Sequence, residues 1–142
     1  MISEQYKHLS INLNLQLARN LPLIIGNSIT FEQVIINLLS NAKDALLEKK
    51  KSKDFDMFIQ IRSFQNNQKL IIEIIDNGIG ISKEDISHIM LPFYTTKDTG
   101  KGTGLGLSIS YQIIKNMNGT IEILSNKFQG SDRKSTRLNS SH

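Results

Sequence analysis

The 142-residue chain has no cysteine, only two prolines, and aromatic side chains at 6% of its length. Without cysteine there is no disulfide framework and no thiolate metal site, which is compatible with the cytosol. No apolar run approaches the length needed to span a bilayer. Nor is Met1 followed by a basic segment and short hydrophobic core of the kind that opens a signal peptide. A hydrophobic content of 39% over this length suits one domain with a real core.

A strong excess of one charge is also missing. The formal net charge is +4, but Asp132 to His142 reads DRKSTRLNSSH, a string without apolar periodicity. It resembles the peptide obtained by translating a common high-throughput sequencing adapter, and residues 132–142 are expected to be a non-native tail. Without them 14 basic residues face 12 acidic ones. A basic nucleic-acid-binding patch then has no support, and no nucleic-acid partner is expected.

What the chain does have is glycine in one place. Gly100, Gly102, Gly104 and Gly106 alternate through GKGTGLGLS and lead into a helical apolar pattern. Such a backbone can bend through positive φ and present N–H groups to a ligand, while the N-terminus of the next helix adds a positive dipole end. Together they describe a phosphate site. The spacing excludes a P-loop, because Lys101 is followed by Gly102. It also excludes a dinucleotide fingerprint, because Leu105 and Leu107 stand where the third glycine would fall.

The alternation of Ile11, Leu13, Leu15 and Leu17 with polar residues predicts a strand over 10–17. Thr30 and Gln33 form a capping-box pattern ahead of an amphipathic helix that closes in Lys49 to Lys51. Runs 57–64 and 69–76 predict a hairpin. Ser82 with Asp85 opens a short helix to about Met90, and Pro92 begins a loop rich in Thr, Lys and Gly. A further helix is predicted over 105–117, stopped by Asn118-Gly119, and then a strand over 120–125. This order predicts an α+β fold, a mixed or antiparallel sheet with helices packed on one face.

Two groups carry candidate chemistry. Asn37, Asn41 and Asp44 fall at i, i+4 and i+7 of the first long helix and share a face. Their hard oxygen donors suit Mg²⁺, although a solvated helix face carries the same pattern. Asparagine is a poor helix former, so two of them in mid-helix call for a reason. Asp76 ends a strand beside Gly78 and Gly80. It can accept from an exocyclic amine while the glycines let a flat ring approach the backbone; a turn-capping carboxylate is the alternative.

The blocks NLLSNAKDA, DNGIG and PFYTTKDTGKGTGLGLS, in that order, resemble the N, G1, F and G2 boxes of the catalytic ATP-binding domain of two-component sensor histidine kinases. These belong to a superfamily with gyrase, the heat-shock protein 90 chaperones and the mismatch-repair MutL proteins. The wording NAKDA and PFYTTK is most similar to the nitrogen-regulation type. The resemblance covers about residues 10–130 and implies a two-layer α/β sandwich of the Bergerat ATP-binding type, with three helices on one face of a mixed sheet. Its last strand, due after Gly130, is expected to be missing. Residues 1–9 then correspond to the tail end of dimerisation and phosphoacceptor helices.

The resemblance further implies ATP and Mg²⁺ as cofactors. Asp76 is the expected acceptor for the adenine amino group, Gly78 and Gly80 shape the base pocket, and Asn41 is the metal ligand with Asn37 and Asp44 nearby. Gly102, Gly104 and Gly106 hold the phosphates, and residues 93–101 form a lid from which Lys97 reaches a phosphate. Ile81, Thr103, Leu105 and Leu107 complete the expected contacts. In ATP-hydrolysing relatives a glutamate one turn before the metal-binding asparagine activates water. Here Asn37 stands there, and an amide cannot act as a general base.

Phosphoryl transfer to a histidine is therefore expected over hydrolysis. The alternatives are a conformational ATPase, a serine-kinase module, or a nucleotide binder without activity. None of His8, His88 and His142 is followed by an acid, as family acceptor histidines are. The acceptor is expected on a separate dimerisation domain of a homodimeric, membrane-anchored parent with its kinase domain in the cytoplasm and a response regulator downstream.

Overall fold

The computed structural model describes residues 2–21, 26–88, 106–125 and 134–141. Its elements are α1 (Ile2–His8), β1 (Asn12–Leu17), α2 (Ser28–Lys50), β2 (Phe58–Asn66), β3 (Lys69–Asp76), α3 (Lys83–Ile86), α4 (Gly106–Asn116), β4 (Gly119–Ser125) and β5 (Lys134–Ser141). They form one five-stranded sheet in the order β1-β2-β3-β5-β4. β1 pairs parallel with β2 across the α2 crossover, and every other pairing is antiparallel. The sheet is mixed, as the patterning predicts.

The register explains which face meets the helices. Leu13 lies opposite Ile59, Ile59 opposite Asp76, and Ile61 opposite Ile74, so these side chains share one face. Ile59, Ile74 and Ile121 from the sheet form one buried cluster with Val34, Leu38, Leu39, Ala42 and Leu46 of α2, Ile114 of α4, and Tyr6 of α1. β3 is central and reads almost continuously apolar. Its one mid-strand charge, Glu73, is 5% exposed and meets Arg62 on the opposing strand at 3.0 Å.

Local chemistry sets the element ends. The β2–β3 turn is Asn67-Gln68, both at positive φ (51° and 65°), which lets two residues reverse the chain with the twist a hairpin requires. α4 stops where Asn118 takes φ 59°, a left-handed position asparagine tolerates better than most residues. The start of α2 differs from the Thr30–Gln33 expectation. Asn27 is the cap, its Oδ1 accepting from Ile29 N at 2.8 Å and Thr30 N at 3.3 Å, and the helix begins three residues earlier. The Thr30 hydroxyl instead donates back to the Asn27 carbonyl at 3.1 Å. α3 is capped by Ser82 as predicted but is a single turn, and residues 89 and 90 lie outside the described residues.

The expectation about the last strand is also corrected. The last strand is not missing: β5 lies between β3 and β4, with Asp76 opposite Lys134 and Gly119 opposite Ser140. Without it, two strands would face each other across a gap with a row of backbone N–H and C=O groups on each side. Ladder hydrogen bonds are made by main chain, so a segment lacking an apolar pattern can still satisfy both rows.

Candidate functional site

A tight turn lies at the C-terminal end of β3. Asp76 is fully buried, and its Oδ1 accepts from Gly78 N at 2.9 Å, an Asx turn that bends the chain out of the strand. The turn then runs directly against α2. Ile79 N donates to the Ala45 carbonyl at 3.2 Å, and a Cβ at Gly78 would lie 2.6 Å from the Ala45 carbonyl carbon and 2.8 Å from its oxygen. No side chain fits between these two backbones. Gly80 follows at φ 70°, and Ile81 is half-buried beyond it.

The other end of the site forms where α4 begins. Asn37 Nδ2 donates to Ser110 Oγ at 3.4 Å, and Ser110 is fully buried. A Cβ at Gly106 would stand 4.0 Å from Asn37 Cγ, so the first turn of α4 lies beside the amide of α2. Leu107 packs at the edge of the core. Asn37, Asn41 and Ala45 are successive turns of one helix, eight residues end to end, or about 12 Å at 1.5 Å per residue. The Asp76–Gly78 turn therefore sits at one end of this face, the α4 N-terminus at the other, and Asn41 between them.

Asn41 and Asp44 are half-buried on the same face. Among the described residues no three His, Cys, Asp or Glu side chains are grouped to hold a metal ion. Asn41 and Asp44 carry oxygen donors on this face, the ligand type that Mg²⁺ takes in nucleotide sites beside phosphate and water. Lys97, Gly102, Thr103, Gly104 and Leu105, with the lid expected over 93–101, lie outside the described residues.

Sequence reasoning missed Ser110 and Tyr6. Ser110 had a signal, since it stands one turn before Ile114 on the buried stripe of α4, where an apolar residue is expected. Tyr6 had none, because α1 is too short to show a period. The residue is 5% exposed, and burial, reinforced by the negative charge of Asp44, raises its pKa above the usual tyrosine value. The neutral phenol is favoured in the fold, so its contribution to stability is complete below the unfolded tyrosine pKa of about 10 and fades as pH rises through the higher folded value. Phenolate absorbance should show Tyr6 ionising later than a free tyrosine. Asp44→Asn should bring it partway back; ionisation together with a free tyrosine in the unaltered chain would contradict this arrangement.

Comparison with known proteins supports the family and the fold. The family model described as "Histidine kinase-, DNA gyrase B-, and HSP90-like ATPase" matches residues 26–139. The two-component sensor PprA of Pseudomonas aeruginosa is 41% identical over 96 residues, covering 68% of this chain and 10% of that protein. Sporulation kinase E of Bacillus subtilis is 30% identical over 130 residues, covering 92% of this chain and 16% of the relative. Among solved structures, the catalytic domain of histidine kinase ThkA superposes with a TM-score of 0.77 at 25% identity, covering 99% of this chain and 86% of that one. The chain thus spans only a small part of the length of the curated relatives it matches.

Proposed function

Because the chain belongs to the histidine kinase-, DNA gyrase B- and HSP90-like ATPase family, we propose that it binds Mg-ATP along α2. From there it directs the γ-phosphoryl group to a histidine of a separate dimerisation domain. The observation that carries this reading is the face of α2 that joins the buried Asp76–Gly78 turn to Gly106 over roughly 12 Å, with Asn41 between them. Asp76 accepts from the adenine amino group, and Gly78 and Gly80 keep side chains out of the plane of the base. At the far end, the N-terminus of α4 presents backbone N–H groups and a positive dipole end to the phosphates, and Gly102, Gly104 and Lys97 are proposed as further phosphate contacts. Mg²⁺, when bound, would neutralise charge on the phosphates.

Asn41 would supply the protein oxygen to that ion, and Asp44, three residues on along the same face, would help to orient it. Asn37 is bonded to Ser110 and offers water no base, so transfer to an external nucleophile outruns hydrolysis. The parent protein is a homodimeric two-component kinase that passes the phosphoryl group to a response regulator. Among the described residues no helix is long and apolar enough to cross a membrane. The proposed location is the cytoplasmic side of an anchored parent, where ATP is held.

Incubating the chain with Mg-ATP and a separately produced dimerisation domain should yield acid-labile, base-stable phosphohistidine on the added domain, with little free phosphate from the chain alone. Rapid phosphate release with no transfer to any histidine domain would reassign it as a conformational ATPase.

A further inference from the structure

Asn77 lies between the two residues most closely tied to base recognition, Asp76 and Gly78. The β2–β3 ladder ends with Ile59 opposite Asp76, so the next pair would be Phe58 with Asn77. There the side chain takes over from the main chain. Asn77 Oδ1 accepts from Phe58 N at 3.0 Å, and Nδ2 donates to the Asp56 carbonyl at 2.8 Å, so the amide stands in for one more peptide unit of the strand. The Asn77 main chain is thereby released to turn toward α2, where its carbonyl accepts from Lys49 Nζ at 3.0 Å. Lys49 is itself held over the Phe55 ring, 4.6 Å from its centroid.

We infer that Asn77, backed by Lys49, is a positioning residue that sets base specificity: it clamps the Asp76–Gly78 turn between β2 and α2 so that the Asp76 carboxylate is aimed at an exocyclic amine. Only an amide has a donor and an acceptor at the spacing of a peptide group. Aspartate would place an oxygen against the Asp56 carbonyl, and alanine would leave Phe58 N and Asp56 O to water. The three contacts fix the turn on both sides. Asp76 accepts from Gly78 N inside that turn, so a loosened Asn77 lets the carboxylate rotate away from a ligand without touching it.

This inference rests on the adenine-nucleotide reading, and one set of titrations separates the two. Affinities for ATP and for inosine triphosphate, which carries a carbonyl in place of the exocyclic amine, are measured on the whole chain by calorimetry. The unaltered chain should prefer ATP by ~10-fold or more, since a site built to accept a hydrogen bond rejects the analogue that cannot donate it. Asp76→Asn should abolish the preference, and Asn77→Ala should reduce it to within about 3-fold by misaiming the same carboxylate. Should Asn77→Ala fail to fold, Lys49→Met removes one contact to the turn, leaves the amide in place and should lower the ratio in the same direction. If Asp76→Asn abolishes the preference while Asn77→Ala, or Lys49→Met in its place, weakens both nucleotides equally, the positioning role is overturned and the nucleotide reading stands. A chain with no preference, or one whose preference survives Asp76→Asn, overturns both.

Discussion

Replacing Gly78 with alanine is expected to destabilise the domain by about 1–3 kcal/mol, the usual cost of forcing a methyl group into a filled interior. The added Cβ would meet the carbonyl carbon, the oxygen and the Cβ of Ala45 at 2.6, 2.8 and 2.7 Å. Two of these three atoms are backbone in the middle of a 23-residue helix, so no side chain can swing aside. Relief must come from the turn itself, which lifts off α2, gives up the Ile79 N to Ala45 O bond and carries Asp76 with it. Urea unfolding should show the lower midpoint. ATP affinity should fall further than the loss of stability explains, because the folded population itself has a displaced carboxylate. An alanine variant with unchanged midpoint and unchanged affinity would mean that the turn does not press on α2 in solution.

Asn41→Ala should leave the fold nearly untouched and cut Mg-dependent phosphoryl transfer by about 10²-fold, the scale on which one preorganised electrostatic contact to a reacting group acts. Asn41 is half-buried on the polar face of α2, while the buried side chains of that helix are Val34, Leu38, Leu39, Ala42 and Leu46. Removing its amide therefore opens no core cavity. The loss should be steepest at low Mg²⁺, and excess Mg²⁺ should recover part of it. ATP binding measured in chelator should be the same for both proteins. Equal transfer rates across a Mg²⁺ titration would take Asn41 out of the metal site.

Much of this arrangement was legible in the sequence because the relevant signals are local. The apolar stripe of α2, the β-branched runs on either side of Asn67-Gln68, and the polar row Asn37, Asn41, Asp44 all follow from periods of 3.6 and 2. Asp76 and the glycines around it stood out because glycine beside a lone acid at a strand end is a local anomaly. What could not be read depends on tertiary context. Asn27 outcompetes Thr30 as the cap because its extended backbone and short amide reach two orphan N–H groups at once. β5 is placed by the needs of its neighbours β3 and β4 rather than by its own propensity. The reason Gly78 must be glycine is the carbonyl of Ala45, more than thirty residues earlier in the chain. Tyr6 is tied to Asp44 only through the packing of α1, and no period in a seven-residue helix announces that.

The central claim is that one nucleotide lies along α2 with its base at the Asp76–Gly78 turn and its phosphates at the start of α4. Amide chemical shifts of the isotopically labelled chain, followed during titration with Mg-ATP, test it most directly. Saturable shifts should appear together at Asn37, Asn41, Gly78, Gly80 and Gly106, at both ends of the helix face and between them, while Asn14 and Gln16 on the exposed edge strand β1 stay in place. Shifts confined to one end, centred on β1 or α1, or absent at millimolar Mg-ATP would contradict it.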